Sequence, residues 1–195
     1  QSCNAAKRLI VTPKIADAVV ARVVALSEQL VMGDPMRPET TLAPLHTQVL
    51  QQKAHAQVQD ALAHGASALC GGVLPEGSGY FYPATVLDHV NPACRVYGEE
   101  VFAPILSVLR AADEADAIRL ANDTCFGWGA AVYSQNTEHA WALAQNLQAG
   151  SVFINRHTSS DLRLPFGGIK QSGFGRELSE FGLYEFVNVK SYWQK

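Results

Sequence analysis

The chain has 195 residues, 48% of them hydrophobic, which suffices to bury one sizeable core and points to a single domain. Fifteen basic and eighteen acidic residues leave a formal charge of −3 without any Lys/Arg run, so nucleic acid and anionic membranes are poor partners. No apolar run approaches the ~20 residues that span a bilayer, and no basic start leads into a signal-like segment, so the expected location is the cytoplasm.

Taken in order, the β-prone residues 9–12 predict a first strand. Ile15, Val19, Val23, Leu26 and Leu30 recur at three- and four-residue steps and predict a helix over 14–30, ended by Gly33-Asp34-Pro35. A second helix is expected over 46–64, with Gly65 just past its end. Strands over 68–70 and 80–87 follow, joined by a glycine-rich loop, and the apolar run 105–109 reads as a buried strand. Asp113-Glu-Ala-Asp116 has the form of a capping box and opens a short helix through Ala121. Beyond it come a strand over 130–134, a helix over 137–147, a strand over 151–155, a polar loop over 156–164, a short helix over 178–182 and a final strand over 184–193. This alternation predicts an α/β fold, a largely parallel sheet with flanking helices, with ligand sites at the C-terminal ends of the strands. Cys3, Cys70, Cys94 and Cys125 are widely spaced and read as reduced thiols, and no metal site is expected, because His46, His55 and His64 fall on alternating faces of one helix.

The stretch Pro165-Phe-Gly-Gly-Ile-Lys-Gln-Ser-Gly-Phe-Gly-Arg-Glu177 sets four glycines into thirteen residues, so positive φ or a ligand close against the main chain is expected there. It is not a phosphate loop, since neither a third spaced glycine nor Gly-Lys-Ser/Thr follows Gly173-Phe-Gly175. As a whole string, P-F-G-G-x-K-x-S-G-x-G-R-E resembles a signature of the aldehyde dehydrogenase superfamily. Other segments agree with that resemblance. Gln1-Ser-Cys3 with Ala5 and Arg8 is similar to the segment around the family's nucleophile, and Glu100-Val-Phe102-Ala-Pro104 to its E-x-F-G-P, with Ala103 in place of glycine. Leu42-Ala43-Pro-Leu45 and Pro83-Ala84-Thr-Val-Leu87 differ from their family counterparts only at the alanines, and Trp128 stands where leucine is usual. The run from Ser172 to Phe186 is closest to bacterial succinate-semialdehyde dehydrogenases.

The resemblance implies an NAD- or NADP-dependent oxidation of an aldehyde to its acid, with residues 1–183 as the catalytic domain and 184–195 as an oligomerisation tail of a homo-dimer or homo-tetramer. It makes Cys3 the nucleophile, which suits a thiolate that attacks well and leaves readily from a thioester. It assigns Glu100, Phe102 and Trp128 to the cofactor and Glu177 to support of the water path, although Glu177 equally fits a cap or a salt bridge beside Arg176. Arg156, His157, Ser159, Ser160, Arg163 and Phe166 become the substrate wall, where acetaldehyde-type relatives place aromatic residues. Without the resemblance, Cys3 is one buried-type thiol among four, Glu99-Glu100 a solvated turn, and 156–164 a polar loop. The resemblance covers the C-terminal portion of a family polypeptide, so the cofactor domain, the oxyanion asparagine and the general base are expected upstream, and these residues alone are expected to be inactive. A CoA-acylating semialdehyde dehydrogenase, a non-enzymatic interaction domain and a stand-alone nucleotide-binding module are the alternatives.

Overall fold

The computed structural model describes residues 2–195. They form two compact units, one ending at Asp123 and the other running from Thr124 to Lys195.

The first unit is built on a four-stranded sheet. Its strands are β1 (Arg8–Val11), β2 (Ser67–Cys70), β3 (Thr85–Asp88) and β4 (Ile105–Arg110), in the order β1-β4-β3-β2. β4 pairs in parallel with both β1 and β3, and β2 joins the far edge antiparallel to β3, so the sheet is largely parallel with one reversed strand. The two-residue period of the strands sorts their side chains between two cores. Val11, Val86 and Val108 face helix α1 (Ala16–Ser27) through Ala16 and Val20. Leu87 and Leu109 face the other way, into a larger core with Ala54, Val58 and Ala61 of helix α2 (Gln48–Ala63), Val96 of α3 (Arg95–Gly98) and Leu120 of α4 (Glu114–Asn122).

Local chemistry sets most boundaries. The Thr47 hydroxyl accepts from Leu50 N–H to cap α2, and Asp113 accepts from Asp116 N–H to cap α4, while the Asp116 carboxylate reaches back to Ala112 N–H. Helix α1 is shorter than its periodicity predicts: Ile15, Leu26 and Leu30 are exposed, and the packed face is Ala16, Val19, Val20 and Val23. The expected strand over 80–87 is confined to β3. Pro83 has no N–H to give a ladder, and the carbonyls of Tyr80 and Phe81 already accept from Leu45 N–H and the Gln51 amide.

The second unit holds β6 (Gly129–Val132), α5 (Thr137–Ala144) and β7 (Ser151–Ile154), a parallel strand–helix–strand unit. β5 (Phe126–Gly127) pairs antiparallel with β8 (Ile169–Lys170), and α6 (Ser179–Tyr184) follows the glycine-rich loop. The strand expected over 184–193 does not form: α6 takes Tyr184, and the residues after it find no ladder partner among the described residues. A strand exists through its neighbour's hydrogen bonds, whereas Phe186 and Val187 donate only to Leu183 and Tyr184 within their own turn, and the side chains of Phe186, Val187, Val189, Tyr192 and Trp193 are exposed.

Asp88 ends β3, almost fully buried, and takes two hydrogen bonds from the Arg110 guanidinium at 3.1 and 2.8 Å. Burial pushes its carboxyl up, but Arg110 and the His89 N–H pull it down further, so it ends below its ordinary value. Folding therefore favours the ionised form, and the pair's contribution is full above about pH 4 and fades as the solution is acidified through the lowered value. Arg110→Met leaves this buried carboxylate without its guanidinium, held by the His89 N–H. At neutral pH the variant is expected to lose about 3 kcal/mol of unfolding free energy in denaturant titration, and less below about pH 3. A loss under about 0.5 kcal/mol at neutral pH contradicts this account.

Candidate functional site

In the first unit the functional candidates sit ahead of β1 and β4. Register fixes this. Arg8 lies opposite Ser107, Lys7 C=O accepts from Ser107 N–H at 3.0 Å, and the segments leading into the two strands therefore start side by side. Cys3 stands five residues before Arg8, and Phe102 five before Ser107. The general expectation of sites at strand C-termini thus fails for this unit, whose candidates lie at the N-terminal ends of both strands.

Cys3 is exposed in a turn closed by Ala5 N–H donating to Ser2 C=O at 3.1 Å; its thiol lies 3.5 Å from the Asn4 side-chain oxygen. The described residues around it form no helix, so the nearby charge comes from Lys7. The Lys7 ammonium donates to the carbonyls of Ser2, Cys3 and Ala5 at 2.7, 3.2 and 3.0 Å and stands 5.4 Å from the centre of the Phe102 ring. Burial pushes the ammonium below the usual lysine range, against the attraction of Glu100 and Cys3. Gln1, part of the sequence motif, lies outside the described residues.

The structure separates the two adjacent acids. Glu99 is bound by Arg95 at 2.8 and 3.1 Å and by the buried Gln57 amide at 2.9 Å, and Arg95 holds its carboxyl below the ordinary value. Glu100 gives its backbone carbonyl to Gln57, and its carboxylate is exposed. Ala43, Ala84 and Ala103 all keep negative φ, so alanine in place of the family's residue strains none of these segments.

In the second unit the glycine-rich loop is stitched rather than loose. Phe166 and Glu177 exchange both backbone hydrogen bonds at 2.8 Å, and the Arg176 guanidinium spans the loop to the carbonyls of Gly168 and Gly175 at 2.8 and 2.7 Å. Glu177 is exposed, and its neighbour Arg176 is thus committed to carbonyls rather than to a salt bridge with it. Gly173 and Gly175 have positive φ as expected, whereas Gly150 and Gly167 serve close packing: a Cβ on Gly150 would run into Gly167 C=O. Trp128 meets the buried Phe166 edge to face, with ring centres 5.2 Å apart.

Loop 156–164 leaves β7 through Asn155, whose side-chain amide pairs with both Ser134 N–H and Ser134 C=O at 2.9 and 2.8 Å. Arg156, Ser159 and Phe166 line one cavity of about 420 Å³, together with Asp161. The Ser159 hydroxyl is buried there without a hydrogen-bond partner. His157 and Ser160 are exposed on the same loop, and Arg163 is held by Asp161 at 2.9 and 2.7 Å, which keeps the Asp161 carboxyl far below its ordinary value.

The sequence matches the aldehyde dehydrogenase family over residues 1–192. The chain belongs to that family. It is 44% identical over 194 residues to the succinate semialdehyde dehydrogenase (NAD(P)+) of Escherichia coli strain K12, covering 100% of this chain and 42% of that protein. It is 46% identical over 190 residues to the succinate-semialdehyde dehydrogenase (NADP+) of Deinococcus radiodurans, covering 97% of this chain and 40% of the relative. Among solved structures, succinic semialdehyde dehydrogenase from Streptococcus pyogenes in complex with NADP+ superposes with a TM-score of 0.93 at 39% identity, covering 96% of this chain and 41% of that one. Betaine aldehyde dehydrogenase from Staphylococcus aureus in complex with NAD+ gives 0.87 at 29% identity, over 97% and 41%. This family member therefore spans about two fifths of the length of these relatives.

The sequence marks Cys3, Glu100 and Glu177 by resemblance but gives no sign of the parts played by Gln57, Lys7 and Arg176, because their partners are mostly backbone carbonyls, which carry no residue signature. Arg176→Met removes the stitch across the glycine-rich loop. Hydrogen exchange at the amides of Phe166 and Glu177 is expected to speed up by about tenfold or more, with β6 and β7 unchanged. Unchanged exchange at both amides means that the loop is held by something else.

Proposed function

We propose that the chain is the catalytic portion of an NAD(P)-dependent aldehyde dehydrogenase acting on succinic semialdehyde. The observation that carries this reading is the grouping of Cys3, Lys7, Glu100 and Phe102 ahead of two parallel strands. The sulfur of Cys3 adds to the aldehyde carbon, its electron pair forming the C–S bond while the carbonyl pair moves onto oxygen. Loss of hydride from that carbon leaves a thioester, and water then cleaves the C–S bond to give the acid and return the thiol. A bound nicotinamide dinucleotide supplies the hydride acceptor. Its ribose hydroxyls suit the exposed Glu100 carboxylate, a two-oxygen acceptor, and its ring suits Phe102. Glu177 is assigned to the water path.

A semialdehyde carries a carboxylate at its far end. In the second unit Arg156 lines one cavity together with Ser159, whose buried hydroxyl has no hydrogen-bond partner, and the two suit that group, with Phe166 as an apolar wall and His157 and Ser160 on the exposed loop. Arg163 is already neutralised by Asp161, so its part is to hold the loop. The exposed apolar residues after α6 are assigned to contact with a second copy, in a homo-dimer or homo-tetramer. No helix among the described residues is long and apolar enough to cross a membrane, and the proposed location is the cytoplasm.

Two substitutions test the roles in the protein that shows activity. Glu100→Gln is expected to slow hydride transfer in single turnover by about ten- to a hundredfold while Cys3 alkylation stays unchanged; an unaltered hydride-transfer rate removes Glu100 from the cofactor site. Arg156→Ala is expected to lower kcat/KM for succinic semialdehyde about ten- to a hundredfold more than for an uncharged aldehyde of similar length. Equal losses on both substrates rule out the carboxylate role.

A further inference from the structure

Building on the reading of Cys3 as nucleophile, we propose that Lys7 is its positioning residue. The ammonium gathers the turn that carries Cys3 and holds that turn, with a fixed positive charge, against segment 100–102. The geometry supports both parts. Lysine has three N–H donors, and here three carbonyls within five residues, those of Ser2, Cys3 and Ala5, converge on the one nitrogen. Three carbonyl dipoles pointing at one spot repel each other unless a cation sits there, so the turn's shape depends on this side chain. The same nitrogen stands 5.4 Å from the Phe102 ring centre, within cation–π reach, which ties the turn to the neighbouring segment.

The charge is placed with equal economy. Glu100 and Cys3 attract the Lys7 ammonium, against the larger effect of its burial. Arg8, the next residue, turns the other way: it donates to Leu120 C=O at 2.8 Å and stands over the Tyr97 ring at 5.1 Å. Asp123, its other charged neighbour, receives the Tyr97 hydroxyl. Among the described residues Lys7 is therefore the cation that serves the nucleophile's turn. Arginine at this position keeps the charge, but its planar fork does not reproduce a three-carbonyl tripod.

The test compares alkylation of Cys3 by iodoacetate, an anion, and by iodoacetamide, which is neutral, read on the Cys3 peptide by mass spectrometry. The rate ratio at fixed pH cancels the thiolate fraction and reports local charge. A role confined to packing leaves it unchanged. In Lys7→Gln and Lys7→Met the ratio is expected to fall about three- to tenfold, while Lys7→Arg keeps it within about twofold. Cys125, exposed in the other unit, serves as the internal reference and stays constant. An unchanged ratio in the Gln and Met variants, or an equal fall in the Arg variant, overturns the proposal. If the variants do not fold, the unsubstituted chain decides: its Cys3 ratio exceeds that of Cys125 at low salt and falls toward it at high salt, and equal ratios at low salt overturn the proposal. Aldehyde oxidation surviving Cys3→Ser refutes the nucleophile alone, because the ratio still reports where Lys7 stands. A flat ratio with activity abolished by Cys3→Ser refutes the role of Lys7 alone.

Discussion

Parallel pairing of β1 with β4 is the constraint on which the first unit depends. β4 is hydrogen-bonded on both edges and packed on both faces, so its register cannot slip without turning Val108 and Leu109 into the wrong cores. Because the strands run the same way, whatever precedes one is delivered beside whatever precedes the other. A thiol and a carboxylate nearly a hundred residues apart in sequence are thereby brought to the same edge, and a single lysine is enough to join the segments that carry them.

The second unit solves a different problem. Its glycine-rich loop is irregular, yet it is tied to its surroundings: Gly127 N–H donates to the Ser172 hydroxyl, Gln171 N–H to Cys125 C=O, and Arg176 covers two carbonyls. The loop's glycines divide between those whose backbone has to turn left-handed and those against which another backbone packs. In the neighbouring loop 156–164 the buried Ser159 hydroxyl is left without a partner.

Much of this was legible in the sequence. Buried β-branched runs such as Val86 and Val108 announce strands through composition, and Asp113 announces a helix start through capping. The edges of α1 were not, since exposed Ile15, Leu26 and Leu30 continue its periodicity beyond the packed face. Nor was the fate of the tail, where β propensity at Val187, Val189 and Tyr192 has no partner to act on. The ordering of the two adjacent acids was readable only by resemblance. Its physical cause is Arg95 and Gln57, which claim Glu99 from one turn away and from another helix.

Asn155 closes the β6–β7 ladder in an unusual way. Its backbone is left-handed at φ 53°, and its side chain supplies both a donor and an acceptor to Ser134. The amide acts as one more rung, so the sheet is finished before the main chain departs. Mechanically this insulates the framework from the loop beyond. Loop 156–164 therefore departs from a ladder that Asn155 has already closed, and β7 does not rely on that loop for its last hydrogen bonds.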